Sequence, residues 1–402
     1  MQPEALRSLV LIVSIATLSP LISDLAKRWT RVPGVVIEIF LGILIGPHVL
    51  GWAHLDEVIE VLAEMGLVLL IFLAGFEIDP DAVKGRPVKL AVGGWVLSLG
   101  LGTGVAVVLH SLDVTSGIRF VAIALTTTAV GTLLPILGDA GVLPTTLGRN
   151  ILASGAMGEL GPILAISVAL ATDSPAKTTA VLLGFGAITL LVGWLATRPA
   201  QPRIIRLIAR TLHTSGQFGV RFSMLLCVLL VWVAQTFGLD VLLGAFAAGM
   251  VARLFLVGHA AEATDDVQHD ADHRHEVQVR IEALSFGFFI PVFFVVSGVH
   301  FDLAALGHLG ALAKVPMFLA LFLVVRGLPA LLYRRDLDRP NLAALALLQS
   351  AALPLVVVIT GLGVSTGRMR PDNAAAMVGA GLLSVIAFPL IALAVRGRSQ
   401  TR

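Results

Sequence analysis

Glu159 is the one acid in an otherwise apolar stretch from Ile151 to Thr172, where a lone carboxylate costs about 2.5–3.5 kcal/mol on insertion scales. A carboxyl in such surroundings holds its proton tightly enough to exchange it for a cation near physiological pH. Arg326 poses the complementary problem, lying in the middle of the apolar run Phe318 to Ala330. It stays charged at every accessible pH, so it suits charge compensation rather than proton transfer. Two kinds of acceptor are open to it: the Glu159 carboxylate, or carbonyls left free at interrupted helix ends. Polar residues also precede a proline inside two hydrophobic spans, Thr126-Thr127-Thr128 before Pro135 and Gln349-Ser350 before Pro354. Either these hydroxyls bond back to their own helix and the proline kinks it, or the helices are broken and their ends line a cavity that holds an ion. The occurrence of the pattern in two corresponding places favours the second reading.

The elements that must position these residues are membrane spans. The chain is 57% hydrophobic and only 13% charged, with a mean hydropathy of +0.93, which makes it a polytopic all-α membrane protein embedded in a lipid bilayer. Windows long enough to cross a hydrocarbon core lie at about 5–25, 34–50, 58–77, 88–110, 117–138, 150–171, 178–197, 217–237, 240–257, 283–301, 309–333, 340–362 and 373–395. They predict about 13 transmembrane helices in a single transporter domain, residues 1–402. The first window resembles a signal peptide, but no small-residue cleavage site follows and it is read as a span. Lys27, Arg28, Arg31, Lys84, Arg86, Lys89, the arginines from Arg198 to Arg221, Arg334, Arg335, Arg339, Arg396, Arg398 and Arg402 fall after alternate spans. The positive-inside rule therefore places the N-terminus outside and the C-terminus in the cytoplasm. Arg119, Lys177, Lys314, Arg368 and Arg370 are the main exceptions.

A shift of 223 positions carries Gly75 and Asp79 onto Gly298 and Asp302, and Thr127 onto Ser350. Each pair is separated by seven spans, an odd number, so the second copy enters the membrane from the opposite side. Repeat one is read as about 5–171, a linker helix as about 178–197, and repeat two as about 217–395.

The remaining charges are read conservatively. Glu38, Glu60 and Glu64 sit nearer predicted boundaries and are taken as interface or packing groups. The segment from His259 to Glu282 is read as a solvated loop; within it His269, His273 and His275 among acids are weak candidates for a metal site. Cys227 is the one cysteine, so no internal disulfide is possible and a cysteine metal site is excluded. A net charge of +2 gives no footprint for nucleic acid. No nucleophile and base pair, metal spacing or nucleotide loop suggests an enzyme, and no cofactor is expected.

Several segments together resemble the monovalent cation:proton antiporter-2 family across nearly the whole chain. These are Pro33-Gly-Val-Val-Ile-Glu38-Ile-Phe-Leu-Gly42-Ile-Leu-Ile-Gly46-Pro47 with Leu50-Gly51, Leu70-Ile-Phe-Leu-Ala-Gly75-Phe-Glu-Ile-Asp79, Leu243-Gly-Ala-Phe-Ala-Ala-Gly249, Ile281-Glu282, and Phe288-Phe-Ile-Pro-Val-Phe-Phe294 leading to Gly298 and Asp302. The resemblance implies the sodium/proton antiporter fold, a homodimer in the cytoplasmic (inner) membrane, and a core domain moving against a dimerisation domain. Glu159 falls where the family's essential acid is expected, and Gly158 precedes it where an Asp, Asn or Gln is common. Arg326 takes the place of a basic residue that is often Lys, and Gln349 matches a polar position, followed here by Ser350-Ala351-Ala352. The expectation is exchange of Na⁺ or K⁺ for protons, electroneutral because the site has one carboxylate. Glu159, Gly158, Thr126, Thr127, Thr128, Gln349 and Ser350 would surround the ion and Arg326 would offset charge. Two other readings stand beside it: exchange of an organic or anionic solute, with Gly158 making room and Arg326 attracting charge, and a transport-inactive membrane sensor.

Overall fold

The computed structural model describes residues 3–26, 33–77, 85–170, 175–197, 217–257, 267–307 and 309–400. Their secondary structure is helical throughout. In chain order the main helices are α1 (Pro3–Ala26), α2 (Gly34–Ile45), α3 (Glu57–Glu77), α4 (Arg86–Ser111), α5 (Ile118–Ala124), α6 (Val130–Asp139), α7 (Thr146–Leu170) and α8 (Pro175–Thr197). They continue with α9 (Phe218–Thr236), α10 (Val241–Val257), α11 (Val267–Leu284), α12 (Ile290–Val299), α13 (Lys314–Gly327), α14 (Arg339–Leu348), α15 (Pro354–Ser365) and α16 (Pro371–Gln400). Among the described residues eight helical stretches are long and apolar enough to cross a membrane, and four shorter apolar helices accompany them.

Two of the hydropathy windows hold a pair of short helices instead of one continuous span. In the window 117–138, α5 ends at Ala124 and α6 begins at Val130. The Thr126 and Thr127 hydroxyls donate to the Ile123 and Ala124 carbonyls at 2.7 and 2.8 Å, the same carbonyls that accept those threonines' amides, so each threonine closes the helix end twice. In the window 340–362, α14 ends at Leu348 and α15 starts on Pro354. Proline fits the first position of a helix and pushes the residue before it out of the helical region, and Leu353 is indeed non-helical, with φ −146° and ψ −62°. Pro135 has no such role, since it lies inside α6; the first break is made by the three threonines.

The chain divides into two compact units, one of Met1–Asp56, Pro80–Ala169 and Phe294–Arg402, the other of Glu57–Asp79 and Leu170–Phe293. In the first unit a Cβ on Gly298 of α12 would overlap the Ile39 carbonyl oxygen of α2, and one on Gly42 would overlap that of Val295. In the second, a Cβ on Gly75 of α3 would overlap the Phe246 carbonyl of α10, and one on Gly249 that of Phe72. Membrane helices gain little from burying apolar surface against one another, so this close backbone approach through small residues is what binds them. Gly75 and Gly298, related by the 223-residue shift, thus do equivalent work, each seating its helix on one from the other half of the sequence. Asp79 of that repeated motif lies outside the described residues.

Charges that the positive-inside count left as exceptions are tied down within the first unit. Lys314 Nζ donates to Asp372 Oδ2 and Asn373 Oδ1, both at 2.7 Å, and Arg370 Nη2 reaches the same Asp372 oxygen at 2.8 Å. Arg368 Nη1 caps the Ala169 carbonyl at 3.2 Å. The segment expected to be a solvated loop is instead helical from Val267 onward, as α11. His269, His273 and His275 fall on that helix with side chains outside the described residues, and His259 lies outside them altogether. Among the described residues no group of three or more His, Cys, Asp and Glu side chains is arranged to hold a metal ion.

Candidate functional site

The two breaks cross within the first unit. The amide of Ala129, the last residue of the first break, donates to the Ala351 carbonyl in the second at 2.8 Å, and the Thr128 amide donates to the Gly158 carbonyl of α7 at 3.1 Å. Unwound backbone at this depth needs partners from neighbouring protein, and here each strand of the crossing supplies them to another. Thr126, Thr127, Thr128, Gln349 and Ser350 are all buried there, none more than 2% exposed.

Arg326 reaches the crossing from α13 and is the largest fully buried side chain described. Its Nη2 donates to Thr128 Oγ1 at 2.7 Å and to the Ser154 carbonyl at 3.1 Å, while Nε donates to Thr128 Oγ1 at 3.0 Å. Longer contacts reach the Gln349 carbonyl and Ser98 Oγ, each 3.4 Å away. All these acceptors are neutral oxygens, so of the two partners left open by the sequence the free carbonyls and hydroxyls take Arg326. Gln349 caps the C-terminus of α14, where the helix dipole is negative, and a fixed guanidinium suits that end. The Gln349 side chain closes the ring: Nε2 donates to the Arg326 carbonyl, and Oε1 accepts from Ser154 Oγ at 2.7 Å. The Ser350 hydroxyl donates to the Ala346 carbonyl at 2.6 Å, back within its own helix.

Glu159 is half-buried. Its Oε1 accepts the Val130 amide at 3.1 Å, and Val130 is the first residue of α6. A carboxylate at this spot meets both an orphan N–H and the positive end of a helix dipole. The crossing therefore pairs each charge with the helix end of opposite polarity, Glu159 with the start of α6 and Arg326 with the end of α14.

Gly158 does not open a space. A Cβ built there would stand 2.6 Å from Thr128 Oγ1, 2.7 Å from Thr128 Cβ and 2.8 Å from Arg326 Nη2. The guanidinium and the threonine occupy the volume a side chain would need, which removes the extra room on which the organic-solute reading relied.

Two residues in this network escaped the sequence reading. Ser154 stands one turn before Gly158 on the same face of α7, and Ser98 lies on α4; both are small polar residues within apolar spans, a signal too common to single them out. The (i, i+4) pairing of Ser154 with Gly158 was the available clue.

Comparison with known proteins gives a consistent picture. Residues 12–393 match the model of the family described as sodium/hydrogen exchanger, transmembrane. The sequence is similar to the Na⁺/H⁺-K⁺ antiporter GerN of Bacillus cereus, 25% identical over 379 residues that cover 92% of this chain and 91% of that protein. It is also similar to a Na⁺/H⁺ antiporter of Enterococcus hirae, 27% identical over 294 residues and 70% of each chain. In three dimensions it is similar to the sodium proton antiporter MjNhaP1 of Methanocaldococcus jannaschii, with a TM-score of 0.68 and 16% identity over 99% of this chain and 97% of that one.

Proposed function

The chain belongs to the transmembrane sodium/hydrogen exchanger family, and from that premise we propose that it is a secondary antiporter exchanging a monovalent cation, Na⁺ or K⁺, for protons. The observation that carries the proposal is the half-buried Glu159 carboxylate held at the open N-terminus of α6 by the Val130 amide, beside the crossing of two broken helices. Glu159 alternately binds a proton and a cation. The Val130 amide and the α6 dipole steady the carboxylate during the interval between them. Arg326 stays fixed through the cycle, since its donors are committed to Thr128, Ser154, Ser98 and the Gln349 carbonyl. Thr126, Thr127 and Ser350 fill the carbonyls of the half-helices, and Thr128 and Gln349 tie those ends to Arg326, leaving the cation to Glu159. One exchanging carboxylate gives one-for-one, electroneutral exchange.

In this reading residues 5–171 and 217–395 are the inverted repeats, the N-terminus faces outward, the C-terminus lies in the cytoplasm, and the protein works as a homodimer in the cytoplasmic membrane. The pairing of the largely buried Lys314 with Asp372 supports the orientation, because that exception to the charge rule does not face solvent as a free cation.

The test is dequenching of a pH-sensitive dye in proteoliposomes on adding Na⁺, K⁺ or Li⁺, for the wild type and Glu159→Gln. Cation-triggered proton movement that is lost in the variant supports the proposal and names the ion. Folded wild-type protein that answers no cation would overturn it. Competition at one group also requires the apparent cation affinity to fall as the pH drops, and a pH-independent affinity would be incompatible with the mechanism.

A further inference from the structure

The first unit buries a second carboxyl that the exchange site does not use. Glu38, in the second turn of α2, is 7% exposed, and Ser19 of α1 beside it is fully buried. Ser19 Oγ lies 2.8 Å from Glu38 Oε1 and 3.3 Å from the Ala16 carbonyl. That carbonyl has a particular need. It would ordinarily accept the amide of the residue four positions on, but that residue is Pro20, which lies inside α1 and has no N–H.

The hydroxyl of Ser19 has one proton to give and two lone pairs to receive. With Glu38 ionised, Ser19 must choose: serving the carboxylate leaves the Ala16 carbonyl bare, and serving the carbonyl leaves a buried carboxylate with no donor. With Glu38 protonated every group is satisfied in series, the acid O–H donating to Ser19 Oγ and the Ser19 O–H donating to the Ala16 carbonyl. Among the described residues of α1 and α12, no cation offsets a negative charge beside Glu38. Between Arg7 and Asp24 α1 has no charged residue, and α12, which packs on α2 through Gly298, has none along its length. The other charges of α1, Glu4, Arg7 and Asp24, stand toward its ends. A lone carboxylate among apolar groups is disfavoured on desolvation alone.

We infer that Glu38 is a proton-binding site distinct from the exchange site, whose proton fastens α2 to the proline-interrupted turn of α1 through Ser19. The proton is a standing constituent of the fold and is not exchanged in each transport cycle. The inference does not rest on the antiporter reading, because it concerns a contact that is complete in a protein unable to transport.

The experiment is infrared difference spectroscopy at neutral pH on purified protein in the Glu159→Gln background, comparing it with the same protein also changed at Glu38→Gln or at Ser19→Ala. A protonated-carboxyl carbonyl band that disappears with Glu38→Gln is the expected result. With Ser19→Ala the same band moves to higher frequency, because the acid loses its acceptor. Superimposable spectra with and without Glu38 would overturn the inference, and so would a band unmoved by Ser19→Ala should the Glu38 variant fail to fold. Thermal inactivation supplies a second readout. The native state binds a proton that the unfolded chain gives up at lower pH, so wild type loses stability relative to Glu38→Gln as the pH rises. Stability curves that stay parallel from mildly acid pH upward would count against the site.

Discussion

Gly158→Ala is the most demanding perturbation of the crossing, because one methyl group must be fitted where there is no space. The new Cβ would stand 2.6 Å from Thr128 Oγ1, 2.7 Å from Thr128 Cβ and 2.8 Å from Arg326 Nη2, all well inside van der Waals contact. Thr128 cannot retreat freely, since its amide bonds the Gly158 carbonyl itself and its hydroxyl donates to the Gln349 carbonyl at 2.6 Å. Overpacking of this kind costs about 1–3 kcal/mol. Displacing Nη2 from Thr128 and Ser154 strands buried charged donors at about 1.5–3 kcal/mol. Alanine returns about 1 kcal/mol of helix propensity, so a net loss of roughly 2–5 kcal/mol is expected. Thermal melting of detergent-solubilised protein measures it, alongside cation-dependent proton movement in proteoliposomes. Gly104→Ala on α4 is the control: its Cβ meets nothing within 4 Å, so it should leave exchange unchanged and melt no lower than wild type, gaining at most the same ~1 kcal/mol of helix propensity. Combining Gly158→Ala with Arg326→Leu frees the disputed volume, so the double variant should lose less than the sum of the two, by about 1–3 kcal/mol of coupling. A Gly158→Ala protein that melts and exchanges like wild type would refute the reasoning.

Other substitutions probe the surrounding frame. Thr128→Val keeps the shape but removes the oxygen shared by two Arg326 nitrogens; it should destabilise by about 1.5–3 kcal/mol and slow exchange, with normal transport rates arguing against a fixed Arg326. Asp372→Ala leaves the largely buried Lys314 ammonium with Asn373 alone, and a fall in melting stability toward the lower end of about 3–5 kcal/mol is expected. Gly75→Ala and Gly298→Ala drive a methyl into a backbone carbonyl, which cannot rotate away; each should cost about 3 kcal/mol or more, and tolerance of either would contradict the backbone contact.

How much could be read beforehand depended on whether a feature was local. Hydropathy located the spans because each must match a bilayer by itself. The breaks were legible through Thr126 to Thr128 and Gln349-Ser350, although the prolines behind them proved unequal: Pro354 starts a half-helix, whereas Pro135 lies within one. The acceptor for Arg326 was not legible, because Thr128, Ser154 and Gln349 converge on it from sequence positions 198, 172 and 23 residues away. Glu38 was read as an interface or packing group; the structure gives it packing, with a partner that was not legible for a related reason. Its burial comes from Ser19 of α1, and no pattern within α2 announces that partner.

The proposed repeat accounts for a single proposed exchange site. The same 223-residue shift that relates Gly75 to Gly298 carries Gly158 onto Gly381 of α16, and a Cβ at Gly381 would lie 2.7 Å from the Ala352 carbonyl in the second break. The frame of the crossing is thus built twice, with a side-chain-free position pressed against each break. The chemistry is not duplicated. Shifted by 223, Glu159 becomes Leu382, and the amide at the second break is instead received by the Ser384 hydroxyl at 3.0 Å. Ser384 also donates to the Gly381 carbonyl at 2.7 Å, so it both accepts and donates within protein. A hydroxyl satisfied in this way has no charge to offer a cation and no proton to exchange. Glu159 meets its break with a half-buried carboxylate, which has both. The two breaks thereby divide the labour: the second is sealed by a neutral group, and the first is left to a group whose charge depends on what it binds.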